Sequence, residues 1–403
     1  MLCGQTARAY VEFYRRLCRD RKLRNAGARW PRRFHRLAWL PRFDSAACFA
    51  SLLGDPRNGR WLVVPVAKDA HVTRHYRGDT LILETVFETG SGTVCVIDFM
   101  ARRDGASDLV RLVRGIRGKV SMRTELVVRF EYGFVMPWVS RREDGRLQPT
   151  AGADRLLLDT TVSLRGEDFR TVGDFDVSAG EEVGFTLSWT PSFRPAPAPL
   201  GATDALAHVE AFWSNWSAGF KPIDEWSPAV LRSSFTLKAL SHRETGGIVA
   251  AGTTSLPEKI GGQRNWDYRF CWLRDATFTL YALIESGSHG EAQAWREWLV
   301  RAVAGDPADL QIMYGIAGER RLAEYEVPRL AGYEGSSPVR VGNAAAGQLQ
   351  LDVYGEVLDA LYVARRAGSS NAALSRISRP FGNSLTMASG KSEVGESILR
   401  IRK

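Results

Sequence analysis

The chain has 403 residues, of which 44% are hydrophobic and 25% charged. That composition excludes a mostly disordered chain, a collagen-like repeat and a polytopic membrane protein, and at roughly 150 residues per domain the length suits two or three domains. The net charge of +9 sits in one place: residues 1–37 hold 11 Lys+Arg against two acids, so the remainder is neutral and offers no clustered cations for nucleic-acid phosphates.

No run of about 18 apolar residues is present and no apolar stretch follows Met1, so neither a membrane span nor a secretory signal is expected. The five cysteines (Cys3, Cys18, Cys48, Cys95, Cys271) form no CxxC, which reads as reduced thiols in the cytoplasm. The six histidines form no HExxH or HxH pattern, so no metal or other cofactor is assigned.

Residues 1–38 are Arg-rich and without a sustained period. They read as a solvated leader, with a basic arm for anionic partners as the sharper alternative. From Trp39 the text is rich in Val, Thr, Leu and Phe. It predicts strands at Trp61–Val66, Val72–Tyr76, Thr80–Glu88, Thr93–Phe99, Val120–Tyr132, Leu156–Leu164, Thr171–Val177 and Glu182–Trp189. Turn signals such as Gly78-Asp79 and Asp144-Gly145 separate them, and many short strands at near-regular spacing suggest an antiparallel β-sandwich. Pro191–Pro199 reads as a stiff boundary.

Beyond it the period becomes helical. Thr203 or Asp204 is expected to cap a helix carrying Leu206, Val209, Phe212, Trp213 and Trp216. Ser227-Pro228 reads as an N-cap followed by Pro at the first helical position. Further helices are predicted over about 273–285, 290–303 and 348–367. The last has an apolar stripe of Leu351, Tyr354, Leu358 and Leu361, with Gly368 as its stop. Strands first and helices afterwards imply two segregated domains.

Two long loops, Thr245–Cys271 and Gly305–Ala346, interrupt the helices, and long structureless connections in a compact domain are usually functional. The first ends in Trp266, Asp267, Tyr268, Trp272, Arg274 and Asp275. Indole and phenol faces suit the flat C–H face of a pyranose. An accepting carboxylate beside a forked donor suits vicinal hydroxyls. Asp275, close to a helix start, is expected to stay ionised in the field of the helix dipole. The plain alternative is that Trp266 and Trp272 are core and Asp275 caps the helix. In the second loop Glu324, Glu326 and Glu334 are candidate acids or bases, each more simply read as a surface carboxylate.

Residues 39–56 (WLPRFDSAACFASLLGDP), 248–287 and 311–362 resemble bacterial members of glycoside hydrolase family 15, which includes glucoamylases and α,α-trehalases. The strings RNWDYRFCWLRDATFTLYAL and GYEGSSPVRVGNAAAGQLQLDVYGEVLDAL carry the resemblance, in order and at plausible spacing, over about residues 39–368. It implies an N-terminal β-sandwich followed by an (α/α)6 barrel, and inverting hydrolysis of an α-glucoside such as trehalose or a maltooligosaccharide. Arg274 and Asp275 would hold the outer hydroxyls of the non-reducing-end glucose, with Tyr268, Trp272 and Trp266 around the ring. No cofactor, metal, nucleic acid or membrane is implied.

The expected organisation is a basic leader at 1–38, a β-sandwich resembling a trehalase N-terminal domain at 39–200, a linker helix within 201–227, a partial (α/α)6 domain at 228–368 and an unpatterned tail at 369–403. In the family the general acid follows a Trp in a Gly-Ile-Trp-Glu-like string and the base comes later, so both are expected at positions beyond Gly368. This chain has no Trp-Glu dipeptide. The expectation is therefore a truncated chain without either catalytic glutamate, inactive by itself, whose Arg-rich ends read as out-of-frame translation. A non-catalytic carbohydrate-binding or structural role is the alternative.

Overall fold

The computed structural model describes residues 34–35, 37–220 and 224–366. Nearly all of the expected leader, the expected tail, Cys3 and Cys18 lie outside these residues. So does Gly368, the expected stop of the last helix, together with every position after it where the acid and base were expected. The chain divides into two units: residues to Pro41 with Ser45–Ala218 and Pro328–Ser337, and Arg42–Asp44 with Gly219–Val327 and the residues from Pro338 on.

The first unit is built on antiparallel strands: β1 (Arg60–Pro65), β2 (His71–Tyr76), β3 (Leu83–Thr89), β4 (Gly92–Ala101), β5 (Ser107–Val127), β6 (Trp138–Arg141), β7 (Leu147–Ala151), β8 (Asp154–Thr160), β9 (Arg170–Ser178) and β10 (Glu182–Pro191). The 21-residue β5 organises them. Its first half pairs with β4 and β10, its second with β9 and β1. The sheet so folded encloses a core that includes Trp61, Val96, Val113, Met122, Leu158 and Phe185. Trp61 meets Phe185 edge-on at 6.2 Å between centroids.

Two differences from the sequence reading have a clear cause. The strand expected at Val120–Tyr132 begins at Ser107 instead, and Tyr132 lies in a short 3-10 turn. The first half of β5 escapes the pattern because it buries charge. Arg111 is 3% exposed and pairs with Asp98 at 2.8 Å, while Asp108 is fully buried against Arg103 at 2.6 Å. Paired in this way, buried charges cost far less than they would alone. Strands β6 and β7 were not expected; β6 is exposed along its whole length, so it shows no alternation.

The Pro-rich segment after β10 is tied to the sheet by arginines. Arg155 donates to the Arg194 carbonyl at 2.7 Å, Arg146 to Pro197 at 2.8 Å and Arg103 to Ala198 at 2.6 Å. Thr186 adds a bond to Leu200 at 3.1 Å. Helix α1 (Ala202–Ser217) follows and belongs to the same unit, with Leu206, Val209 and Trp213 buried. Its N-cap is Gly201, without a side-chain cap, so Thr203 and Asp204 stand inside the first turn rather than at the cap.

The second unit carries α2 (Ser227–Ala239), α3 (Leu273–Glu285), α4 (His289–Ala302) and α5 (Asp352–Arg366). Trp226 occupies the N-cap of α2; Ser227 is already helical, and its hydroxyl donates to the Asp224 carbonyl at 2.8 Å. α3 spans the predicted residues. α5 begins later than expected and is turned: Val353, Val357, Ala360 and Leu361 are buried, whereas Leu351 is 65% exposed and precedes the helix. Tyr354 and Leu358 stay half-exposed. Among the described residues no helix is long and apolar enough to cross a membrane.

Candidate functional site

The candidate residues gather where the long loop 245–271 enters α3. Residues 266–270 run extended beside 250–255. Ser255 N donates to the Trp266 carbonyl at 3.0 Å, Ala251 N to Tyr268 at 2.9 Å and Ala250 N to Phe270 at 2.9 Å. Asp267 and Arg269 are fully buried, while Trp266 and Tyr268 are partly exposed.

Trp272 ends this stretch as the N-cap of α3, with no side-chain cap. It is 9% exposed and lies 6.1 Å from Tyr268 between ring centroids, tilted by 52°. Its indole N–H has no acceptor among the described residues. Such an orphaned donor costs about 1–3 kcal/mol. Trp266 stands elsewhere on the loop, with the Arg340 guanidinium 4.7 Å from its ring centroid. Arg274 and Asp275 form the first turn of α3, an ion pair at 3.4 Å with both side chains part-exposed.

Asp275 differs from the expectation that the helix dipole would govern it. Loss of water on burial pushes its carboxyl above the ordinary aspartate value, and Arg274 opposes this only in part. Desolvation outweighs the dipole here because the dipole is worth only about 0.3–1 kcal/mol. Nor does Asp275 cap the helix.

Glu356, which the sequence reading did not single out, belongs to the same neighbourhood. The Tyr281 hydroxyl donates to Asp359 Oδ2 at 2.6 Å, joining α3 to α5. Glu356 lies one turn before Asp359 and feels the charges of Arg274 and Asp275, which stand at the start of α3. Burial, helped by Asp352, Asp359 and Asp275, raises the Glu356 pKa. The only sequence signal was the run of acids 352, 356 and 359 along one face of α5.

The other candidates are placed differently. Glu324 and Glu326 flank Arg340, at 3.5 and 3.6 Å. Glu334 belongs to the first unit, exposed, with φ of 49°. Among the described residues no group of three or more His, Cys, Asp or Glu is arranged to hold a metal.

A carboxyl with a raised native pKa holds its proton in the folded state at a pH where the unfolded chain has lost it. Stability is therefore greatest below the unfolded value and falls as pH rises through the native one. Asp275→Asn is expected to remove part of that fall. Urea midpoints of wild type and variant between about pH 4 and pH 6 will differ in slope if this is so; parallel curves would contradict it.

Comparison with known proteins follows the same division. Residues 227–380 match the family model for glycosyl hydrolases family 15, and residues 34–162 that for the trehalase-like N-terminal segment. The first match runs on past Gly368, where the resemblance was expected to stop, into the stretch read from its Ser-rich, basic composition as an unpatterned tail. A trehalase of Mycolicibacterium smegmatis is 33% identical over 365 residues, 81% of this chain and 53% of that protein. A trehalase of Mycobacterium tuberculosis is 32% identical over 360 residues, 81% of this chain and 52% of that protein. The chain thus spans about half the length of the curated relatives it matches. A solved bacterial glucoamylase, complexed with acarbose, superposes with a TM-score of 0.53 at 12% identity, over 83% of this chain and 56% of that one, a likeness of fold alone.

Proposed function

Because the chain belongs to glycoside hydrolase family 15, we propose that its helical unit holds the terminal glucose of an α-glucoside, trehalose or a maltooligosaccharide, for hydrolysis with inversion. On this reading α2–α5 begin an (α/α)6 barrel that follows a β-sandwich in the sequence. The observation that carries the proposal is the meeting of a part-exposed Arg274–Asp275 pair with the adjoining Tyr268 and Trp272 rings at one helix entrance.

The chemistry follows from these groups. The Arg274 guanidinium donates in a fork to neighbouring hydroxyls and the Asp275 carboxylate accepts from them. Tyr268 and Trp272 cover the apolar face of the ring and exclude water. Trp266, stacked with Arg340, lines the approach. No cofactor enters this scheme.

Inverting hydrolysis also needs one protonated and one ionised carboxyl, roughly 6.5–9.5 Å apart. Such pairs work because their environments push the two pKa values apart. Asp275 and Glu356 are both pushed upward, which does not divide these roles between them. We therefore assign Asp275 to sugar holding and name no acid or base. The second reading is carbohydrate binding without catalysis. The free, buried thiols of Cys48, Cys95 and Cys271 accord with a cytoplasmic location.

The 403-residue chain is expected to change its tryptophan fluorescence on addition of trehalose or maltotriose without releasing glucose. Glucose release that disappears in Asp275→Ala would overturn the assignment of roles. A flat titration with both sugars would overturn the sugar site itself.

A further inference from the structure

Asp267 and Arg269 are both fully buried and joined through a fork, Nε to Oδ1 at 2.9 Å and Nη2 to Oδ2 at 2.7 Å. Removing two charges from water is expensive, and well-packed apolar residues often stabilise a core as well or better. A buried ionic pair is therefore informative where its directional bonds hold something in place. Here they hold three separate stretches of chain. Asp267 Oδ2 accepts from Gly342 N at 3.1 Å, and the Asp267 carbonyl accepts from Asn343 Nδ2 at 2.9 Å. Arg269 Nη1 donates to the Phe43 carbonyl at 3.0 Å.

The partly exposed rings alternate with this pair along the backbone. Trp266 precedes Asp267, and Tyr268 lies between the two charged residues. Arg340, whose guanidinium covers Trp266, is two residues before the glycine that Asp267 grips. The Thr254 and Ser255 hydroxyls fix the Arg340 carbonyl at 2.6 and 2.9 Å. Turning the pair would thus turn both rings and shift Arg340.

We propose that the Asp267–Arg269 pair is the positioning device of the sugar site, setting the Tyr268 ring at its place 6.1 Å from Trp272 and the Trp266 ring under Arg340. The inference rests on the sugar-site reading above. Neither residue touches the sugar; both act through the rings they flank. Lysine cannot replace Arg269, because a point charge lacks the planar fork that reaches both Asp267 oxygens and the Phe43 carbonyl together.

The test compares the 403-residue wild type with Arg269→Lys, Asn343→Ala and a control, Val177→Ala, which empties a buried position of β9 in the first unit. Two readouts are taken: near-ultraviolet circular dichroism of the rings, and Kd for maltose and trehalose by tryptophan fluorescence. Arg269→Lys is expected to weaken binding by about tenfold to a hundredfold, the usual effect of misplacing a site by about an ångström, and to alter the aromatic dichroism. The control lowers the unfolding midpoint and leaves Kd and dichroism unchanged. Wild-type Kd and dichroism in both site variants, whatever their unfolding midpoints, would overturn the proposal. Should Arg269→Lys not fold, Asn343→Ala decides by the same two readouts. If wild type binds neither sugar, the sugar reading fails by itself. The dichroism then still decides the positioning claim: altered bands in the site variants alone uphold it, and unaltered bands overturn it.

Discussion

Trp298→Ala is expected to destabilise the helical unit by about 3–5 kcal/mol, the usual cost of deleting a buried aromatic ring. Trp298 is 1% exposed, stacks on Trp295 at 4.5 Å between centroids and meets Tyr314 edge-on at 6.2 Å. Its indole N–H donates to the Ile316 carbonyl at 2.9 Å. That carbonyl also accepts from Thr245 at 2.7 Å, so its partner is not wholly lost and the cavity is the larger cost. The cavity cannot simply collapse. Gly247 already lies so close that a Cβ there would stand 2.6 Å from the Ile316 carbonyl oxygen and 3.0 Å from the indole nitrogen. Against a total stability of about 5–15 kcal/mol, such a loss leaves little margin. Urea unfolding followed by helical circular dichroism measures it; a loss below about 1 kcal/mol would mean that the Trp295–Trp298–Tyr314 stack does not hold the unit together.

Asp275→Ala and Arg274→Ala are each expected to abolish the response to trehalose and maltotriose over accessible concentrations. Hydrogen bonds to charged groups contribute about 1.5–3 kcal/mol apiece, and each 1.4 kcal/mol is about tenfold in affinity. Each side chain can hold two hydroxyls, and its removal also strands the other member of the 3.4 Å pair. Asp275→Asn keeps the shape and one acceptor, so it should bind measurably but more weakly than wild type. Tryptophan fluorescence titration orders the series. Equal affinity in Asp275→Ala and wild type would remove both residues from the site.

The helix α3 and the cluster at its entrance were legible because everything needed lies within a dozen consecutive residues. Tyr268, Trp272, Arg274 and Asp275 announce themselves by residue type and by the apolar period of the helix that follows. Glu356 was not legible, since only the packing of α3 and α5 brings it near Asp275, and a lone glutamate on a helix reads as surface. Asp267 is visible in the loop by residue type alone, and its tie to Arg269 is not: two charges in a loop look solvated until burial reveals them as a strut. The first half of β5 is hidden by Asp108, Arg111 and Arg114, which break an apolar pattern that partners elsewhere in the chain make good. The caps failed because Ser, Thr and Asp near a helix start propose a cap that the backbone here gives to Gly201 and Trp226 instead.

The run of prolines after β10 reads from its composition as a stiff boundary, and the arginines of the sheet bind it as part of the strand-rich unit. Its carbonyls are the acceptors for guanidinium groups of Arg103, Arg146 and Arg155, of which Arg146 and Arg155 are only 6% exposed. Severing the polypeptide there would strand those cations beneath a vacated surface. A cut in this segment would damage the strand-rich unit, whose chain runs on to Ala218 and takes in Pro328–Ser337 as well, and a gene fusion joined at residue 200 would graft its passenger onto a damaged edge.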